Sequence, residues 1–232
     1  MKWYRNYILV FVIAGTLVIQ GFRTEMPKVF VIGDSISIFY GPYLKKALSG
    51  FFTYDRKRGV GEAMQDLDNP VGANGGDSQM VLDYMRELQR DSTFTSDFFL
   101  INCGLHDIKH KSKEGPAQIN LKEYKKNLSE IVRISNEMKI KMVWVNSTPV
   151  VDSIHNKRVP FLRFNRDVIQ YNMAADSIMQ AAGVPVIDLY TFTEKFIPQG
   201  YMDHVHYVEA VRREQADFIA GSLVAIKDCD DE

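Results

Sequence analysis

The chain has 232 residues, 46% hydrophobic and 25% charged, a balance that suits one globular domain and excludes collagen-like, coiled-coil and disordered classes. Its 28 Lys and Arg against 29 Asp and Glu leave a formal charge of −1, so there is no basic excess for a nucleic-acid partner. The only cysteines, Cys103 and Cys229, exclude a disulfide scaffold and a Cys-based zinc site and are expected to be free thiols.

At the N-terminus, Lys2 and Arg5 precede an uncharged apolar run from Tyr7 to Ile19, which Arg23 and Glu25 close. A run of about thirteen residues has the length of a signal-peptide core and falls short of the roughly twenty needed to span a membrane. Residues 1–24 are therefore expected to be a signal peptide or an N-terminal anchor. The positive residues ahead of the run predict export of the remainder of the chain, to the periplasm or the exterior. Any membrane contact would be made through this segment, if it is left uncleaved.

Beyond it, short apolar runs alternate with stretches of helical period. A strand is predicted over Val29–Ile32, a helix over Ile38–Leu48, a weaker strand within Tyr54–Gly59 and a helix over Ser78–Gln89. There follow a strand over Phe98–Asn102, a helix over Leu121–Glu137 and a strand over Met142–Asn146. A helix over Asp167–Ala182, stopped by Gly183, a strand over Val184–Asp188 and a helix over Val208–Ile226 complete the series. The runs are nearly continuous in hydrophobicity, as in parallel strands covered on both faces. Strand alternating with helix implies right-handed crossovers and an α/β fold: a three-layer α/β/α sandwich around a central parallel sheet of about five strands. The domain is expected to span residues 27–227, with residues 228–232 as a frayed acidic tail.

Ligands of such a sheet sit outside the carboxyl ends of its strands, which makes the residues just after each run the candidates for chemistry. These are Gly33-Asp34-Ser35-Ile36, Asn74-Gly75-Gly76-Asp77-Ser78, Gly104-Leu105-His106-Asp107 and Asp203-His204-Val205-His206. A nucleophilic serine needs a neutral imidazole to take its proton and a carboxylate to fix that imidazole's tautomer. Ser35 follows a buried strand and opens a helix, and Asp203 and His206 stand three apart in one loop, close enough to bond locally. Gly76 would let a bare N–H approach an oxyanion. The same residues admit plainer readings. Ser35 would serve as a helix N-cap, Gly75-Gly76 as a tight turn before an N-cap at Asp77, His106 as a structural histidine and Asp107 as a carboxylate bonding nearby N–H groups. Phe51-Phe52 reads as core, His204 as rim or solvent-facing, and His110 and His155 carry no assigned role.

In this order, over Lys28–Ile226, the four blocks resemble the SGNH (GDSL-type) hydrolases. The resemblance implies a flavodoxin-like fold and ester hydrolysis with Ser35 as nucleophile and His206 as base, oriented by Asp203. The N–H groups of Ser35 and Gly76 would be oxyanion donors, with no metal or other cofactor. One block departs: where the family's third block reads Gly-x-Asn-Asp, with the Asn as third donor, this chain has His106. An imidazole also donates, and His106 is expected to fill the role with a strength set by its protonation. Asn74 is the substitute from the neighbouring block.

The loop Thr148–Arg166 comes after the fourth strand and should overhang the site. It carries Arg158, Arg163, Asn165 and Arg166 interleaved with Phe161, Leu162 and Phe164, which favours a polar or anionic substrate face. Asn74, Arg158, Arg163 and Arg166 are the expected substrate contacts. Together these features predict a secreted serine esterase that removes a small acyl group, such as acetyl, from a carbohydrate. A small-molecule or glycan ester is the only partner expected. The alternatives are a lipase or thioesterase with the same triad, a metal-dependent phosphoesterase using Asp34, His106, Asp107, Asp203 and His206 as ligands, and a non-catalytic glycan-binding protein on this scaffold.

Overall fold

Five parallel strands form one sheet in the order β2-β1-β3-β4-β5, in a computed structural model that describes residues 25–229. Residues 1–24, the expected signal or anchor segment, and residues 230–232 of the expected tail lie outside the described residues. The strands are β1 (Lys28–Ile32), β2 (Thr53–Arg56), β3 (Phe98–Ile101), β4 (Lys141–Val145) and β5 (Val186–Ile187). The long helices are α1 (Ser35–Ala47), α3 (Ser78–Arg90), α4 (Leu121–Glu137), α6 (Asn165–Ala181) and α8 (Glu209–Asp228). Three short helices join them: α2 (Val60–Ala63), α5 (Asp152–His155) and α7 (Leu189–Glu194). Every residue of β3 is buried, as are Val29–Ile32 of β1, which is why these segments read as unbroken apolar runs.

The chain moves outward from β1 to β2, then back past β1 to β3. Right-handed crossovers consequently put α1 and α3 on opposite faces of the sheet. Accordingly α1 packs on α8, while α3 packs on α4 and α4 on α6. The reversal falls between β1 and β3, whose carboxyl ends leave the crevice where this topology places a ligand. The loops after β1 and β3 carry Ser35 and His106.

Local chemistry moves several boundaries. Helix α1 begins at Ser35, three residues before the expected start, because the Asp34 Oδ1 accepts the Ile36 N–H at 2.9 Å. Asp34, not Ser35, is therefore the N-cap. Strand β5 keeps two residues of the expected five: Val184 N–H turns back to the Met179 carbonyl, and Pro185 has no N–H to add to the ladder. Helices of four to six residues, such as α2, α5 and α7, span too few turns to show a 3.6-residue period. The Phe51-Phe52 pair splits, with Phe52 in the core at 3% exposure and Phe51 at 50%. Cys103 is buried after β3 and Cys229 is exposed at the end of α8, both as free thiols.

Buried Arg56 ties β2 to the first turn of α1 and to the segment leading into α3. Its Nη1 donates to the Ser37 carbonyl at 3.0 Å, and its Nη2 to Ser37 Oγ and the Ala73 carbonyl, each at 3.2 Å. Gly41 leaves room for this brace, since a Cβ there would stand 2.9 Å from Tyr54 Oη and 3.1 Å from Arg56 Nη1. Replacing Arg56 with Met removes three buried hydrogen bonds and strands the Ala73 carbonyl, and is expected to cost about 2–3 kcal/mol in urea denaturation. A loss below about 0.5 kcal/mol would show that the brace adds nothing to stability.

Candidate active site

At the first turn of α1 the leading N–H groups have no partner within the helix, and the N–H of Ser35 is one of them. The Ser35 side chain meets a loop that arrives from far along the chain. Ser35 Oγ lies 2.8 Å from His206 Nε2, and His206 Nδ1 lies 2.7 Å from Asp203 Oδ2. The ionised Asp203 only accepts, so His206 carries its proton on Nδ1 and offers the Nε2 lone pair to the serine hydroxyl. Asp203 also holds its own loop, its Oδ1 accepting the Val205 N–H at 2.9 Å and the His206 N–H at 2.8 Å. Partial burial raises the Asp203 carboxyl, but the bonds from the His206 side chain and from the His206 and Val205 N–H groups outweigh it and hold it well below the usual carboxylate range. The Phe39 ring, one helical turn after Ser35, packs against the His206 ring with centroids 5.0 Å apart at 65°, and the Arg212 guanidinium lies 3.9 Å from the centre of the Phe39 ring.

His106 is buried and its Nδ1 has no partner. Burial, with the positive charges of Lys109 and Arg163 and the nearby His206, holds its pKa well below 6.5. The ring is thus neutral, with one N–H. An orphaned lone pair is cheaper than an orphaned N–H, which puts that proton on Nε2. The sharp turn into His106 requires Gly104, whose φ is +148° and where a Cβ would stand 2.4 Å from Ser147 Oγ. Asp107 takes the plainer of its two readings: both its oxygens accept the Ser78 N–H, at 2.9 and 3.0 Å, at the start of α3. Burial pushes this carboxyl up to about 8 against the lowering effect of Ser78.

Other expected residues stand differently. Gly76 has a φ of +73°, as the turn needs, but its N–H is taken by Asn74 Oδ1 at 3.0 Å rather than left open for an oxyanion. Asn74 is fully buried, its amide donating to the Leu67 carbonyl at 3.1 Å, so it braces the turn and does not face substrate. Asp77 caps α3 by accepting the Met80 N–H. Arg158 and Arg166 are exposed, with Arg166 lying 4.8 Å over Phe164 and 3.6 Å from Asp167. Among the described residues neither touches Ser35, His106 or His206. Arg163, expected at the surface, is buried, its Nε donating to the Leu105 carbonyl at 2.6 Å.

His204 is also interior, contrary to its expected place at the rim. Its Nδ1 lies 2.9 Å from His155 Nδ1 and its Nε2 3.5 Å from Asp68 Oδ2. Burial, with Arg163 and His204 nearby, pushes His155 down to about 3, so it is neutral. Asp203, His204 and His206 have ligand atoms within 4.8 Å of one another, but His206 is bonded at both ring nitrogens and His204 at Nδ1. The five-ligand metal set fares no better, since Asp34 caps α1 and both oxygens of Asp107 accept the Ser78 N–H.

Sequence reasoning missed Phe39, Arg56 and the Asp68–His204–His155 group. Only Phe39 left a usable signal: an aromatic four residues after Ser35, on the same helical face.

Residues 31–210 match the model of the GDSL-like Lipase/Acylhydrolase family. No curated protein matches the chain. Among solved structures, a lipase/acylhydrolase from Enterococcus faecalis aligns with a TM-score of 0.64 at 14% identity, over 86% of this chain and 96% of that one. The acetyl xylan esterase AlAXEase aligns with a TM-score of 0.61 at 16% identity, over 84% of this chain and 98% of that one. A carbohydrate acetylesterase from Sinorhizobium meliloti aligns with a TM-score of 0.59 at 13% identity, over 86% of this chain and 99% of that one. At these identities the likeness is one of fold.

Proposed function

Because the chain belongs to the GDSL-like lipase/acylhydrolase family and is an ester hydrolase, we propose that it removes a small acyl group, acetyl foremost, from a carbohydrate. In this reading Ser35 is the nucleophile, His206 the general base and Asp203 its orienting carboxylate. The observation that carries it is the unbroken hydrogen-bond chain from Ser35 Oγ through His206 to Asp203. His206 Nε2 takes the hydroxyl proton as Oγ adds to the ester carbonyl. The oxyanion that forms is met by the Ser35 N–H and by His106 Nε2–H. Collapse expels the sugar oxygen, which takes the proton back from His206, and leaves an acyl-serine. Water, activated by the same imidazole, then releases the acid and restores Ser35.

The carbohydrate part of the reading is supported by the names of two structural relatives, an acetyl xylan esterase and a carbohydrate acetylesterase. It includes export, on the strength of the charged and apolar pattern of residues 1–24. The test is to compare acetate release from acetylated xylo-oligosaccharides with hydrolysis of long-chain 4-nitrophenyl esters. A kcat/KM at least about tenfold higher on the saccharides is expected, and the reverse order would replace this reading with a lipase.

Replacing His106 with Ala is expected to lower kcat by about 10²–10³, the usual cost of one oxyanion donor. Asn at this position, which restores an N–H donor, should recover part of the loss. Because His106 is neutral well below 6.5, the shape of the pH–rate profile should not change. A kcat within a few-fold of the parent for His106→Ala would remove His106 from the oxyanion site.

A further inference from the structure

Three residues beyond His106, the chain forms a wall of a groove of about 510 Å³ lined by Lys109, Lys111, Gln118 and Phe161 among others. Lys109 Nζ lies 4.6 Å from the centre of the Phe161 ring, and the Arg163 guanidinium 4.9 Å from the same centre. Arg163 is only 2% exposed, and among the described residues its sole side-chain hydrogen bond is the one from Nε to Leu105. A buried guanidinium with no carboxylate hydrogen-bonded to it is costly, and Asp68 and Asp34 offset its positive field only in part. Its neighbours register that field: after burial, Arg163 is the main reason Lys109 is held down to about 8.

The carboxylates around Lys109 and the groove each have other partners. Asp68 Oδ2 faces His204 Nε2, and Asp66 accepts the N–H groups of Asp68 and Asn69. Asp77 accepts from Gln118 Nε2 at 2.7 Å, and Asp167 Oδ2 pairs with His110 Nε2 at 3.0 Å. Lys109 Nζ donates to the Asp68 backbone carbonyl, and among the described residues no carboxylate pairs with it directly, so Asp68, Asp66 and Asp77 offset its charge only from a distance.

We propose that this groove binds a carboxylate on the substrate, so that the preferred ester is an acyl group on a saccharide containing uronic acid. Lys109 and Lys111 contact the carboxylate, and Arg163 adds its charge from behind. The inference rests on the esterase reading above and narrows it from carbohydrates to acidic ones.

The test compares acetate release from an O-acetylated methyl glucuronoside with release from its 6-carboxamide, which keeps the planar shape and removes the charge. The parent is expected to favour the acid by about tenfold or more in kcat/KM, with the advantage shrinking as salt is raised. The double variant Lys109→Gln/Lys111→Gln is expected to lose most of that preference through KM. Its rates on the carboxamide and on 4-nitrophenyl acetate should stay unchanged. Equal rates for the parent on acid and carboxamide, or an unchanged ratio in the double variant, would overturn the inference. Folded parent protein inactive on 4-nitrophenyl acetate would instead defeat the esterase reading. The groove is then judged by calorimetric binding of methyl glucuronoside: binding to the parent and not to the double variant supports it, and binding to neither overturns it.

Discussion

Replacing Ser35 with Ala is expected to lower kcat for ester hydrolysis by on the order of 10⁵–10⁶, with circular dichroism unchanged. The size of the loss reflects the groups that remain. The variant keeps the helix N-terminus, Asp34 as cap, and His106, so the pocket can still polarise a carbonyl. It lacks the one oxygen that His206 Nε2 reaches at 2.8 Å, and with it the acyl-serine that divides the reaction into two easier steps. Replacing His206 with Ala should cost about as much, because the hydroxyl is a poor nucleophile without a proton acceptor. The Ser35/His206 double variant should be little worse than either single one, as is usual for groups that act as a unit. Fully additive losses in initial-rate measurements would show that the two residues act independently.

Replacing Asp203 with Asn is expected to lower kcat by about 10⁴, without the loss of binding that a misfolded loop would bring. One side-chain oxygen survives to accept the Val205 and His206 N–H groups, so the loop keeps its shape. The atom facing His206 Nδ1 becomes an NH₂ donor. It selects the tautomer with the proton on Nε2, and that nitrogen can no longer take the proton of Ser35. The loss should therefore appear in kcat, with KM close to that of the parent. A decrease of less than about tenfold would mean that the tautomer is fixed by something other than Asp203.

The parts of this structure that were legible in the sequence are those in which a local pattern has a physical cause. Strands β1 and β3 show as unbroken apolar runs because both faces are covered, and α4 shows at its full length because Asn120 caps it and one face is buried. Three of the candidate blocks were legible because each follows a strand or opens a helix, and the fourth because Asp203 and His206 stand three apart just before α8. The features that were not legible depend on partners distant in sequence. The bond from the Gly76 N–H to Asn74 is the exception, a local Asx turn that was visible in principle. Nothing around Arg163 or His204 reveals that the chain packs over them, since a polar loop and a buried cationic cluster have the same composition. Arg56 reads as an ordinary strand-end cation until Ser37 and Ala73 are brought to it. The extra length of α1 was visible in principle: Asp34 is a good N-cap, and weighing it over Ser35 would have moved the helix start to its observed place.

The crevice between β1 and β3 thus receives its groups from opposite ends of the chain. Ser35 arrives on the first helix, His106 on the turn fixed by Gly104, and His206 on a loop ordered by its own Asp203. This division explains why no single block is sufficient.

The central claim is that Ser35 is an activated nucleophile. It is tested most directly by intact-protein mass after treatment with a fluorophosphonate probe in the presence of a chelator, with Ser35→Ala treated in parallel. One adduct per parent molecule and none on the variant are expected. A folded parent that takes up no probe, or a variant that is still labelled, would contradict it.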